Sequence, residues 1–356
     1  MLLNHLFYTL KPMIPRRVQI ALRRQLAAHK RRKYAHIWPI DPNSATPPQG
    51  WPGWPDCKRF AFTLCHDVDT RRGYDNVLRL ADLEESMGFR SLFSFVPEGY
   101  GEISLNLLDD LRNRGFDVAV HGLNHDGKLF RSRRDFLLQA QKINEYLEKW
   151  GTKGFTSPSM HHNLEWMGAM NIEYSISTFD TDPFEPQPDG VGTIFPFLVP
   201  RKRVQGSEFR VQDSSRRQEP STQNLGPSTQ HQEPSTQNLG PSTQHPEPSF
   251  FVELPYTLPQ DSTLFIILQE ETIDIWKKKI DWIAKRGGMA LVNTHPDYMQ
   301  LGHDGRSDLS YPTKLYIDFL EYVHQRYGGQ YFQALPVNIA AFGLGSWFSA
   351  NVSSCS

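Results

Sequence analysis

Residues 60–69, with the sequence FAFTLCHDVD, are the stretch that decides the fold of this chain. The first half of this stretch is apolar and β-prone, and its second half contains two carboxylates, Asp67 and Asp69. A buried strand of this kind presents such residues at its C-terminal end. Because Asp67 and Asp69 are two positions apart on a strand, we expect both side chains to point the same way.

A second stretch, residues 116–125 with the sequence FDVAVHGLNH, repeats this design. A short apolar run leads into His121, and His125 follows four residues later. One carboxylate and two imidazoles near strand ends can form a three-ligand metal site that leaves a position open for water. The two stretches together therefore predict a metal site formed by Asp69, His121 and His125.

The rest of the chain alternates between strand and helix patterns from residue 60 onward. Predicted helices cover residues 74–87, 105–114, 133–150, 164–170, 273–286 and 312–327, and predicted strands cover residues 60–64, 91–96, 116–121, 154–157, 173–178 and 289–293. Repeated strand-then-helix units imply parallel strands with helices outside. The predicted fold class is α/β, a distorted (β/α) barrel of about seven parallel strands with its chemistry at their C-terminal ends.

Composition excludes several classes of protein. The chain has 356 residues and a formal net charge of −1, so no overall field favours nucleic acid. Its three cysteines give no disulfide framework and fit a reducing compartment. No apolar run approaches the roughly 20 residues that a membrane span needs, and the first residues lack the order of a secretory signal. These features predict a cytoplasmic location.

The charge is concentrated at the N-terminus. Residues 1–40 contain nine lysines and arginines and no acidic residue. A basic amphipathic helix of this kind can lie on an anionic membrane surface, at the inner face of the membrane. The alternative is a solvated helix packed against the body of the protein. We assign residues 1–55 to this helix and the Pro- and Trp-rich segment that follows it.

A repeated polar sequence interrupts the predicted barrel, which spans residues 56–345. The sequence QEPSTQNLGPSTQH at residues 218–231 recurs unchanged at residues 232–245. This composition offers almost nothing to bury and predicts a disordered insertion over residues 203–249. A binding arm or glycosylated spacer is one interpretation, and a duplicated tract tolerated in a surface loop is the other. Residues 346–356 are predicted to be a flexible tail.

Five short motifs carry a family resemblance. In chain order they are HDVD at 66–69, HGLNH at 121–125, Thr156-Ser157-Pro158, Asp180-Thr181-Asp182, and LVNTH at 291–295. On these motifs the chain resembles the NodB-like polysaccharide deacetylases, the fourth carbohydrate esterase family, over roughly residues 60–340. The resemblance implies a NodB-type barrel.

The resemblance also implies the roles of the metal ligands and of the base. Asp69, His121 and His125 would hold one divalent metal, with zinc the first choice, although cobalt, nickel and iron also fit this ligand set. The metal would lower the pKa of a bound water molecule. Asp67 would be the general base that accepts a proton from this water.

The remaining implied roles lie on later strands. His295 would be the general acid that protonates the departing amine. Asp180 or Asp182 would orient and charge-stabilise His295. The backbone N–H of Ser159 would stabilise the oxyanion together with the metal.

One position departs from the family pattern. Thr156 stands where the family's Arg-x-Pro motif has an arginine that pairs with the base aspartate, and threonine supplies neither its charge nor its forked hydrogen bonds. Three outcomes follow: another cation replaces it, activity is reduced, or the protein binds without turnover. The candidate replacement cations are Arg71, Arg72 and Arg90.

The resulting hypothesis is a metal-dependent deacetylase that acts on an N-acetylated amino sugar in a polysaccharide or its precursor. Its expected partner is an N-acetylated saccharide, with no nucleic acid and with peripheral membrane contact through the basic N-terminus. The sequence sets no oligomeric state. One alternative is a catalytically impaired carbohydrate-binding relative, and another is a hydrolase of a small non-sugar amide.

Overall fold

The computed structural model describes residues 16–201, 249–302 and 309–347. Almost all of the expected insertion at residues 203–249 and most of the expected tail at residues 346–356 lie outside these ranges.

One sheet organises the described part of the chain. It is curled into a half-barrel of mostly parallel strands, in the order β6-β7-β5-β4-β3-β2-β1-β8, with β9 also paired to β1. Among the strands of the described residues, only the pairing of β6 with β7 is antiparallel. The strands are β1 Phe60–Val68, β2 Leu92–Phe95, β3 Asp117–His121, β4 Gly154–Thr156, β5 Tyr174–Ile176, β6 Phe197–Pro200, β7 Phe250–Glu253, β8 Met289–Thr294 and β9 Tyr331–Gln333. The predicted fold class is confirmed.

Most of the helices pack on the outer face of this sheet, as crossover connections between parallel strands require, whereas the last helix packs among the residues of the inner face. They are α1 Arg16–Lys33, α2 Arg71–Ser86, α3 Leu105–Asn113, α4 Arg133–Trp150, α5 Leu164–Met167, α6 Asp274–Arg286, α7 Lys314–Tyr327 and α8 Pro336–Phe342. Single turns of 3-10 helix lie at Pro42–Ala45, Pro55–Cys57 and Pro158–Met160, and wider turns lie at Ser262–Ile267 and Gly343–Trp347.

Strand β1 is buried along its whole length, as expected for a strand covered on both faces. Its residues alternate between two apolar clusters. Phe60, Phe62 and Leu64 pack in the larger cluster with residues of the helices. Ala61 and Cys65 belong to a second cluster on the inner face. Asp67 continues this inner series, so the geometry of the strand itself directs that carboxylate into the barrel.

Candidate active site

Asp69, His121 and His125 come together at the C-terminal edge of the sheet. Asp69 follows β1, His121 is the last residue of β3, and His125 lies four residues further on. Asp69 Oδ1 is 3.3 Å from His121 Nε2 and 3.2 Å from His125 Nε2. The potential ligand atoms of the three side chains all lie within 4.8 Å of one another.

The environment of Asp69 tests whether these residues suit a cation. Its Oδ1 atom is buried and has no hydrogen-bond partner among the described residues. Burial would raise the pKa of Asp69, but His125 and His121 lower it well below its usual range. Burial lowers the pKa of His125, and Asp69 raises it. A buried carboxylate oxygen without a hydrogen bond, facing two imidazole nitrogens, is a donor set that suits a divalent metal. The three residues therefore fit a divalent metal ion.

Thr156 supports the ligand His121. Its hydroxyl oxygen lies 2.6 Å from His121 Nδ1, and the residue is 1 % exposed. A proton on Nδ1, donated to this hydroxyl, leaves the lone pair of Nε2 directed at Asp69. Metal-binding histidines are commonly oriented by a partner on the other ring nitrogen; here the hydrogen-bond partner is a hydroxyl, and the carboxylate of Asp67 lies 3.4 Å from the same nitrogen.

In the described residues, the side chains that donate hydrogen bonds to Asp67 are neutral, and His121 Nδ1 lies 3.4 Å from its Oδ1. Its Oδ1 accepts hydrogen bonds from the hydroxyls of Ser94, at 2.5 Å, and Thr156, at 3.0 Å. Its Oδ2 accepts one from Asn293 Nδ2 at 2.6 Å. Arginine is absent from this set of partners. Arg71 instead pairs with Asp75, Arg90 pairs with Glu85, and no hydrogen bond joins Arg72 to Asp67 in the part of the chain that the structure describes.

His295 follows β8 and has a carboxylate partner that the sequence analysis missed. Asp261 Oδ1 accepts the hydrogen bond from His295 Nδ1 at 2.7 Å, and Asp261 Oδ2 accepts one from the backbone N–H of His295 at 2.9 Å. The hydroxyl of Tyr311 also donates to Asp261 Oδ2, at 3.0 Å. Burial alone would lower the pKa of His295, but Asp261, Asp69 and Asp67 raise it to about 10.

This arrangement corrects the expected partner of His295. Asp180 instead forms a buried ion pair with Lys279 at 2.5 Å. Asp182 accepts a hydrogen bond from the hydroxyl of Tyr256 at 3.1 Å. Both carboxylates follow β5. Asp261 directly precedes the Ser262–Ile267 turn, and its side chain contacts His295.

Asp297 is a second residue that the sequence analysis did not single out. Its Oδ2 accepts a hydrogen bond from the backbone N–H of Asp69 at 3.1 Å, and its Oδ1 accepts one from the hydroxyl of Thr70. A Cβ atom at Gly73 would lie 2.2 Å from Asp297 Oδ2. Asp297 therefore fixes the backbone of the candidate ligand, and the absence of a side chain at Gly73 makes room for it.

Ser159 lies in the turn Pro158–Met160, beside the histidine pair. Its backbone is left-handed, with φ 56° and ψ 23°. The ring of Pro158 packs so closely on Gly122 that a Cβ there would come within 2.4 Å of it. This contact holds the turn against the segment between His121 and His125.

Comparison with known proteins identifies the fold. No protein-family model and no curated protein sequence matches the chain. A crystal structure of a presumed polysaccharide deacetylase from Mycobacterium smegmatis is similar, with a TM-score of 0.54, 14 % identity, and coverage of 83 % of this chain and 94 % of that one. Puue allantoinase is similar with a TM-score of 0.50, 14 % identity, and coverage of 84 % and 95 %. The chain has the NodB-like deacetylase fold.

Proposed function

We propose that this protein is a metal-dependent hydrolase that removes the acetyl group from an N-acetylated amino sugar. One observation carries this proposal: the buried, unpaired Oδ1 of Asp69 faces the Nε2 atoms of His121 and His125 at 3.2 to 3.3 Å. The similar fold of the Mycobacterium smegmatis protein supports the choice of deacetylation. Zinc is the metal that this ligand set suits best.

The protein side chains divide the proton transfers between them. A divalent cation held by the three ligands would supply Lewis acidity and lower the pKa of water. Asp67, which accepts hydrogen bonds from three neutral donors, is the proposed acceptor of the proton of the attacking water. The N–H of Ser159 is proposed to stabilise the oxyanion.

His295 is the proposed acid for the departing nitrogen. Amines leave from amides only when protonated, so the donor must hold a proton at neutral pH. The carboxylate of Asp261 raises the pKa of His295 and so favours its protonated form. Asp261 binds the Nδ1–H and so leaves Nε2 to donate. The two sides of the site thus hold a proton acceptor, Asp67, and a proton donor.

The test is acetate release from a set of N-acetylated saccharides by purified protein with measured metal content. We expect release that chelation abolishes and that added zinc restores. His125→Ala should lose both bound metal and release, whereas His324→Ala, at an exposed position on α7, should lose neither. Release that persists after exhaustive chelation would contradict the mechanism. Metal binding without release from any substrate would favour a carbohydrate-binding protein.

A second candidate function is hydrolysis of a small non-sugar amide. The observation that favours it is the similarity to Puue allantoinase, which covers 95 % of that chain. Incubation with allantoin and related cyclic amides, under the same metal conditions, distinguishes the two. Ring opening without acetate release from any saccharide would select this second function.

A further inference from the structure

The inner face of α1 is fixed to the barrel. Arg24 Nε donates a hydrogen bond to the backbone carbonyl of Ile266 at 3.1 Å, and Lys30 Nζ donates one to that of Pro183 at 2.7 Å. Arg31 forms an ion pair with Glu270, and Ala27 is 4 % exposed. These contacts set the orientation of the helix, so its opposite face is directed away from the protein.

That opposite face is apolar. Val18, Leu22 and Leu26 are 47 %, 52 % and 54 % exposed. Residues four apart lie above one another on a helix, so the three side chains form one continuous stripe. The other large hydrophobic residues exposed in the described ranges are separate leucines on three different helices, namely Leu78, Leu105 and Leu138. Scattered exposed leucines are ordinary, whereas an aligned stripe indicates an interaction surface.

The charges that α1 itself carries are of one sign, and Arg24, Lys30 and Arg31 are the ones directed at the barrel. Residues 1–40 contain nine basic residues and no acidic residue. Arg23 is exposed beside the stripe, and His29, Arg32 and Lys33 are exposed at its C-terminal end. An apolar stripe flanked by cations matches the two layers of an anionic lipid surface, acyl chains and phosphate headgroups.

We propose that the outer face of α1 is a docking surface for an anionic lipid membrane. A second copy of the chain is a poorer occupant, because it would bring two strongly basic helices together. Nucleic acid would match the cations but leave the leucines in water. No helix in the described residues is long and apolar enough to cross a membrane, so the helix would lie in the plane of the surface, with its aliphatic side chains among the lipids.

The test is co-sedimentation of the full chain with vesicles. We expect binding to vesicles of phosphatidylcholine with 30 % phosphatidylserine, binding at least tenfold weaker to pure phosphatidylcholine, and loss of binding at high salt. The double variant Leu22→Gln, Leu26→Gln should bind anionic vesicles at least tenfold more weakly. Leu78→Gln, Leu138→Gln is the matched control, since these leucines are 44 % and 42 % exposed elsewhere, and it should bind like the wild type.

Several results would overturn the proposal. These are no binding of the wild type, equal binding to neutral vesicles, or equal binding of the Leu22 and Leu26 variant. A concentration-dependent dimer in sedimentation velocity that this variant abolishes, without vesicle binding, would assign the stripe to a second copy. Acetate release from a water-soluble substrate should be the same in the variant and the wild type, so the outcome is independent of the proposed activity.

Discussion

The two histidines His121, at the end of β3, and His295, after β8, differ in the hydrogen-bond partner of their Nδ1 atoms. At the end of β3, the Nδ1 of His121 meets a neutral hydroxyl, that of Thr156. After β8, the Nδ1 of His295 meets a buried carboxylate, that of Asp261. A metal ligand must offer a lone pair, whereas a proton donor must keep its proton. The hydroxyl partner is compatible with the proposed ligand role of His121, and the carboxylate partner is compatible with the proposed acid role of His295.

Removal of the charged partner should have the largest effect on turnover. Asp261→Asn keeps the size of the side chain but removes the charge that raises the pKa of His295. We expect kcat for acetate release to fall by about 10²- to 10⁴-fold, the range typical of a lost general acid. Bound metal, measured by elemental analysis, should stay at the wild-type level. If the variant also loses metal, the proposed separation between the metal ligand His121 and the acid His295 is wrong.

The neutral partner should act on metal affinity instead. Thr156→Val removes the hydroxyl that orients His121, and we expect metal affinity to fall by roughly 10- to 100-fold. Thr156→Ser restores the hydroxyl and should restore affinity. Competition with a chromogenic chelator measures both variants. Equal affinity for the valine and serine variants would show that His121 needs no such support.

The pH dependence of stability gives a third, smaller contrast. The pKa of His295 rises from 6.5 to about 10 in the folded chain. A raised histidine pKa adds stability that is complete below pH about 6.5 and is lost as the pH rises toward about 10. The Tm of metal-free wild type should therefore exceed that of Asp261→Asn most at pH 6, and the difference should shrink by pH 10. A difference that grows with pH would contradict the assignment.

Asp180 should matter least for turnover. Asp180→Asn leaves the buried ammonium of Lys279 without its ion-pair partner, which costs about 3–5 kcal/mol of stability for such pairs. At temperatures where the variant remains folded, we expect kcat to change by less than about threefold, because Asp261 and not Asp180 contacts His295. Chemical denaturation and acetate release measure the two quantities separately. A loss of turnover as large as that of Asp261→Asn would show that Asp180 takes part in catalysis.

The local sequence pattern was enough to predict the main parallel strands and the site residues that lie at or next to their ends. Apolar runs before Asp67 and His121 identified β1 and β3, and the two-residue period predicted that Asp67 and Asp69 point the same way. The parallel sheet followed from the alternation of strands and helices. The approach of Asp69 to His121 and His125 follows because β1 and β3 lie on either side of β2 and end at the same edge of the sheet.

The partner of His295 could not be predicted in the same way. Asp261 follows no regular strand, and it reaches His295 only because the segment after β7 folds back toward β8, where Leu258 forms a bridge with Val292. Asp180 and Asp182 directly follow the predicted strand at residues 173–178, and their position therefore favoured them over Asp261 as the partner of His295. Strands β6, β7 and β9 were not predicted, because runs of three or four residues carry little periodicity. Asp297 was within reach of sequence reasoning, since it lies two residues after His295.

Gly73 of α2 lies so close to Asp297 that helix propensity and steric fit favour different residues at this position. Alanine in place of glycine within a helix would ordinarily stabilise it by roughly 1 kcal/mol. At this position the added methyl group would displace Asp297 from the N–H of Asp69 and shift the start of the helix. The usual gain in helix propensity is therefore opposed at residue 73 by a steric clash with a buried side chain, and glycine is retained there because of what lies beside the helix.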